Sequence, residues 1–125
     1  MKKVVVAIAI LAIIVVAGIL EAVFIDKIFD KLGTDIDTLT EQVAAKDESS
    51  LDTLNNLTNW WEKKRARIEL FAYSPDLRTF STSLAEAKGS IESGDYENAL
   101  AKCESLKVLA INIHRILDFN GLDII

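Results

Sequence analysis

Seventeen consecutive positions, Val4 to Leu20, carry only Ala, Val, Ile, Leu and Gly, directly after Met1-Lys2-Lys3. At about 1.5 Å per residue this run makes a helix of roughly 25 Å, and Ala22 to Ile25 carry it past Glu21 to about 33 Å. A bilayer's hydrocarbon core is about 30 Å thick, so the pattern predicts one transmembrane helix over residues 1–25, with Glu21 near the far interface. A soluble helix does not need an apolar surface on every side. Past Glu21 the pattern narrows to a single stripe. Ile25, Phe29, Leu32, Ile36, Leu39 and Val43 step by four and three, and Leu54, Leu57, Trp61, Ile68 and Phe71 follow after a polar break. Leu77, Phe80, Leu84, Ala87 and Ile91 make a third stripe, and Tyr96, Ala99, Cys103, Leu106, Ala110, Ile113 and Leu117 a fourth. This is helical spacing throughout, and nothing alternates with period two. The expected fold is all-α: the transmembrane helix, then an antiparallel bundle of about four helices, built as helical hairpins over residues 26–125.

The boundaries have their own signals. Lys46-Asp47-Glu48-Ser49-Ser50 breaks the first stripe, and Ser49 or Ser50 is placed to cap the second helix, with Asp52 in its first turn. Ser74-Pro75-Asp76 is a helix start: Ser74 caps, Pro75 loses nothing in the first turn, and Asp76 suits the positive helix end. Ser93-Gly94-Asp95 stops the third helix and caps the fourth, Gly94 being free to turn left-handed. Asn120-Gly121 is the expected end of the fourth. Gly33 costs the first helix about 1 kcal/mol relative to Ala without ending it. Short connections favour antiparallel neighbours. The turn at Tyr73-Ser74-Pro75 and the tail after Asn120 then fall nearest the bilayer, unless the long first helix stands apart from the other three.

A cleaved signal peptide is the rival reading of the N-terminal segment. Its apolar region usually runs about 7 to 15 residues and ends in a small-x-small site. Here the run is longer, Leu20-Glu21-Ala22-Val23 offers no such site, and no cysteine follows to take a lipid. The length favours a retained anchor. Lys2, Lys3 and the α-amino group favour a cytoplasmic N-terminus and an extracytoplasmic domain, although Lys27 and Lys31 on the far flank narrow the contrast.

Charge changes the picture only by exclusion. The chain has 14 Lys+Arg and 19 Asp+Glu; without Lys2, Lys3 and Glu21 the domain keeps 12 and 18, a net charge of −6. That surface repels nucleic acid. One hundred residues make one modest core. The lone Cys103 excludes an internal disulfide and every multi-cysteine zinc pattern. No Gly-rich phosphate loop, paired-histidine motif, nucleophile elbow or EF-hand loop is present, so neither cofactor nor metal is expected.

Few residues carry candidate chemistry. His114 flanks the fourth stripe and has Asp118 four residues on, a spacing that an ordinary helix pair explains as well as a catalytic one. Cys103 falls on the stripe itself, where cysteine behaves as a small apolar residue; an intermolecular disulfide is the other reading. Asn56-Leu57-Thr58 matches the glycosylation acceptor pattern but lies on a helix beside core Leu57. The most distinctive text is Trp60-Trp61-Glu62-Lys63-Lys64-Arg65-Ala66-Arg67. Trp61 belongs to the core stripe and Trp60 to its flank. Cations late in a helix suit the negative end of its dipole, which is the structural account. The functional account is attraction to anionic headgroups, at about 1 kcal/mol per cation, because this helix returns to the membrane. Lys63, Lys64, Arg65 and Arg67, with the apolar tail residues Leu122, Ile124 and Ile125, are therefore the candidate membrane-surface contacts.

The ordering resembles a family of small, uncharacterised bacterial proteins classed as a domain of unknown function and seen largely in Gram-positive bacteria. The likeness rests on Met1-Lys2-Lys3 before one apolar helix, Trp60-Trp61 followed by charges, and Ala72-Tyr73-Ser74-Pro75-Asp76-Leu77. Ile91-x-x-Gly94-Asp95-x-x-x-Ala99-Leu100, Leu106-Lys107 and the apolar tail complete it. Members often close on an Asn-Ile-Leu-like end, from which Asn120-Gly121-Leu122-Asp123-Ile124-Ile125 partly departs. The resemblance implies a single-pass anchor and a helical domain, with no established activity or site residues. Gly94-Asp95-Tyr96-Glu97-Asn98-Ala99-Leu100 also looks like the turn of a tetratricopeptide repeat, but no 34-residue period accompanies it. The expected function is a membrane-anchored, non-enzymatic helical module that contacts a protein partner or the cell-envelope surface. The alternatives are an extracytoplasmic sensor bundle for a small ligand, and an enzyme using His114 or Cys103.

Overall fold

The computed structural model describes residues 1–70 and 74–124, with side-chain surroundings as far as Leu117. Every regular element among the described residues is an α-helix: α1 Lys2–Ala44, α2 Ser50–Ile68, α3 Pro75–Glu92 and α4 Tyr96–Ile124. The apolar segment and the first bundle helix are one element. At 1.5 Å per residue, the 43 residues of α1 extend about 65 Å. Its first half is long and apolar enough to cross a membrane, and none of that stretch is buried in the protein. Burial begins at Ile25.

From Ile25 onward α1 joins a ring in which each helix packs on its chain neighbours and α4 closes back on α1. The long helix therefore does not stand apart. Cross-links fix the directions. Lys107 Nζ meets Asp37 Oδ1 at 2.7 Å, and one helical stretch further along α4 His114 meets Asp26, nearer the start of α1, at 2.8 Å. Trp61 Nε1 donates to Ser81 Oγ at 3.0 Å between α2 and α3, and Lys102 Nζ to Glu86 at 2.6 Å between α4 and α3. The bundle is antiparallel. All the expected stripe residues of α1, α3 and α4 are buried apart from Tyr96, which is half-buried against the core, and Ile28 joins the α1 stripe. Trp61, Phe80, Leu32, Ile36, Leu54 and Leu106 are the largest of the enclosed side chains near its centre. Phe71 lies outside the described residues.

Two of the turns repeat one device. At the end of α1, Lys46 N–H donates to Val43 O at 3.0 Å and Asp47 N–H to Gln42 O at 2.9 Å, with Lys46 at φ +54°. At the end of α3, Gly94 and Asp95 make the corresponding bonds to Ile91 and Ser90, with Gly94 at φ +77°. Both are Schellman closures, which need a left-handed residue just past the helix. Gly94 fills that role without strain and Lys46 does not, so Lys46→Gly is expected to stabilise the fold by about 0.5–1 kcal/mol, read from chemical denaturation of the full chain in nonionic detergent. An unchanged or lower stability would contradict this account of the turn.

The caps were partly as expected. Ser74 Oγ accepts from Asp76 N–H at 3.3 Å with Pro75 at the helix start, and Asp95 accepts from Asn98 N–H at 3.1 Å. At α2, neither Ser49 nor Ser50 caps. Asp47 accepts from Ser49 N–H at 2.9 Å, and bonds from the Ser49 backbone and hydroxyl hold its carboxyl below the usual range. Ser50 is instead buried on the stripe. Helix α4 runs to Ile124 rather than stopping at Asn120-Gly121. A glycine costs a helix about 1 kcal/mol and does not by itself end one.

Candidate functional site

Helix α2 approaches the apolar segment of α1 with its last two turns, and those turns hold the basic cluster. The α2 stripe, followed at three-four spacing, reads Ser50, Leu54, Leu57, Trp61, Lys64, Ile68: one core position is a lysine. Lys64 is half-buried, and its ammonium lies 5.8 Å from the centre of the Phe24 ring. The guanidinium of Arg67 sits over the same ring at 4.5 Å. Phe24 itself packs against the core, so an immobilised aromatic ring carries two cations at the end of the apolar segment. One turn further into the bundle, Lys31 of α1 lies 4.9 Å over Trp60, which is half-buried as its flanking position requires. Trp61 is fully enclosed.

The four cations expected to act together divide into two sets. Arg65 has Glu62 and Glu69 at helix-neighbour spacing, bonds the first and lies 3.8 Å from the second. Lys63, Lys64 and Arg67 have no carboxylate three or four residues away in either direction. Lys63 and Arg67 are exposed, one turn apart, and Leu70 beyond them is 84% exposed. Leu122 and Ile124 fall beyond the described side chains and Ile125 beyond the described residues. Phe24 was missed because it reads as part of the apolar run that ends at Ile25, and Leu70 because it falls off the α2 stripe and carries no signal of its own. The available signal was Lys64 at a core position, which calls for a surface on which a buried stem can carry an exposed charge.

The net charge of the domain conceals a polarity along the bundle. The half next to the apolar segment (residues 26–35, 59–83 and 106–124) has nine Lys+Arg against eight Asp+Glu, a net of +1, with four of the nine cations gathered at residues 63–67. The far half (residues 36–58 and 84–105) has three against ten, a net of −7. The acidic surplus thus lies at the far end of the bundle, and the basic cluster of α2 lies at the end that adjoins the apolar helix.

His114 and Cys103 are placed differently from each other. The His114 ring stacks on Phe29 (5.0 Å between centres, 4° between planes), and Nε2 lies 2.8 Å from Asp26 Oδ1. The partner brought to it is thus on α1; the Asp118 side chain is not among those described. A shallow groove of about 80 Å³ runs beside it, lined by Phe29, Gly33, Lys107, Ala110, Ile111 and His114. Small-molecule sites are usually at least about 300 Å³. Cys103 is enclosed in the core, and burial pushes its thiol up, with Glu104 adding and a Thr40 hydrogen bond opposing. Such a thiol stays protonated and out of contact with solvent. Thr58 of the Asn56-Leu57-Thr58 sequence donates to Leu54 O within α2 at 2.8 Å. Among the described residues no group of three or more His, Cys, Asp or Glu is arranged to hold a metal ion.

The geometry defines a helical bundle continuous with an apolar N-terminal helix, with a basic cluster at the junction. The chain belongs to the family described as Domain of unknown function (DUF4363), whose profile matches residues 20–121. That match begins inside the apolar segment and covers the bundle. No curated protein and no solved structure matches the chain.

Proposed function

We propose that this chain is a non-enzymatic helical module, anchored in a membrane by the first half of α1 and carrying its bundle on the extracytoplasmic side. The bundle's far, acidic end is then displayed for a protein partner or for another component of the cell envelope. The observation that carries the reading is the continuity of α1. The apolar stretch enters the bundle core with no intervening loop, so a span anchored in lipid would hold the bundle at a set height and direction. The charge distribution supports the same orientation, since anionic headgroups attract the basic cluster of α2 and repel the acidic far end. The length of the apolar run, and the lack of a break in α1 at residues 20–25, favour a retained anchor over a cleaved signal. Lys2 and Lys3 at the very start favour a cytoplasmic N-terminus.

The test is fractionation of cells expressing the full chain. The expected result is full-length protein in carbonate-washed membranes, with the bundle digested by protease added outside spheroplasts. A shortened protein in the soluble fraction would overturn the anchor, and protection of the bundle would overturn the orientation.

A further inference from the structure

We infer that Lys64 and Arg67, held over the Phe24 ring, and Lys63, one helical turn from Arg67, form a binding site for the phosphate of an anionic phospholipid headgroup. The inference rests on the anchored reading and adds to it a ligand and the residues that hold it. The cluster lies within one turn of α2, where like charges at helix-neighbour spacing repel. Lys63 faces Arg67 at a separation of four residues and Lys64 faces it at three, and none of the three has a carboxylate at either spacing. Arg65, in the same turn, is the contrast: Glu62 and Glu69 flank it, so it is already neutralised. The repulsion among the other three is relieved by an anion placed between them.

The position of the cluster selects the anion. Arg67 and Lys64 lie 4.5 and 5.8 Å from the Phe24 ring centre. Phe24 lies at the end of the apolar segment, three residues after its first charge, Glu21. In an anchored chain that level is the headgroup layer, where phosphates are concentrated. The ring packs on the core, so the two cations ride on a fixed support, and the guanidinium can offer a phosphate two parallel N–H donors. Leu70, 84% exposed beside Arg67, is placed to dip among the first methylenes of the acyl chains. Glu21, one helical turn before Phe24, is the nearest carboxylate by register on α1, and no ion pair joins it to these cations among the described residues.

The experiment is calorimetric titration of the full chain in nonionic detergent with three probes: dihexanoyl-phosphatidylglycerol, dihexanoyl-phosphatidylcholine and sodium phosphate. The anionic lipid is expected to bind at least tenfold more tightly than either of the others. Replacing Lys63, Lys64 and Arg67 by Gln should weaken it at least tenfold. Replacing Lys46, Lys88 and Lys102 by Gln makes the same change in net charge at the far end and should leave binding unaltered. Arg67→Gln alone, with helicity checked by circular dichroism, should give a smaller loss in the same direction and covers the case of a triple variant that does not fold. Equal binding of the two lipids, an unaffected near-end variant, or equal losses in the two triple variants would overturn the site. Inorganic phosphate binding as tightly as the anionic lipid would assign the cluster to free phosphate and overturn the lipid. These results are independent of the anchor: a chain found soluble in cells refutes the anchor, and a membrane-bound chain with no lipid preference refutes only the site.

Discussion

Trp61→Ala should remove about 3–5 kcal/mol of stability, while Trp60→Ala, one residue earlier, should cost clearly less. The Trp61 side chain is completely enclosed and meets Phe29 edge-on at 6.3 Å and Phe80 at 4.7 Å, tying α1, α2 and α3 at one level. Its truncation leaves a cavity that three helices would have to close together. It also takes a hydrogen-bond donor from Ser81, whose hydroxyl keeps its own bond to Leu77 O at 3.3 Å. Trp60 is half-buried and covered on one side by Lys31, so its loss removes a flank contact and a cation–π pair but opens no cavity. A loss of 3–5 kcal/mol is a large share of the roughly 5–15 kcal/mol that holds a typical domain folded. Urea denaturation of the full chain in nonionic detergent, followed by circular dichroism, checks the pair. Equal losses at the two positions would contradict the register of α2.

The helices were legible because each stripe is long and uninterrupted. Stripe positions of α1, α3 and α4 could be named from spacing alone, and with a half-buried Tyr96 as the sole partial case the structure encloses them. The Pro75 and Gly94 boundaries were legible for a local reason, since each residue type permits few backbone conformations. The α2 start was not. Ser49 is a good capping type in general, but the preceding left-handed Lys46 aims Asp47 at the same N–H groups, and Ser50 is drawn into the core. That outcome depends on the geometry of the whole turn. Helix α4 continues through Asn120-Gly121 because that pair lowers helix stability without by itself ending a helix.

The basic cluster was legible as composition and not as a site. Sequence order puts Arg65 beside Lys64, yet its two glutamates separate it in effect from the other three. Phe24 is forty residues from Lys64 in the chain, and only the antiparallel return of α2 brings them together. The same return creates the charge polarity, which no window along the chain displays. His114 likewise meets Asp26, 88 residues away, a contact that no local spacing displays.

The central claim is that the bundle stands upright on a membrane with its basic cluster at the headgroups. It is tested most directly by measuring depth at two points of the full chain in vesicles containing anionic lipid. Ala66→Cys places a nitroxide label at the basic end and Glu48→Cys places one at the far turn; both positions are exposed, and the native Cys103 is enclosed and does not compete for label. Twenty-odd residues of α1 separate the two levels, or about 30 Å along the bundle. Depth is read by power saturation with oxygen and a water-soluble nickel complex. The account predicts a label at 66 within about 10 Å of the lipid phosphates and a label at 48 about 30 Å further into water. Equal depths for the two labels, or a label at 48 closer to the bilayer than the label at 66, would contradict it.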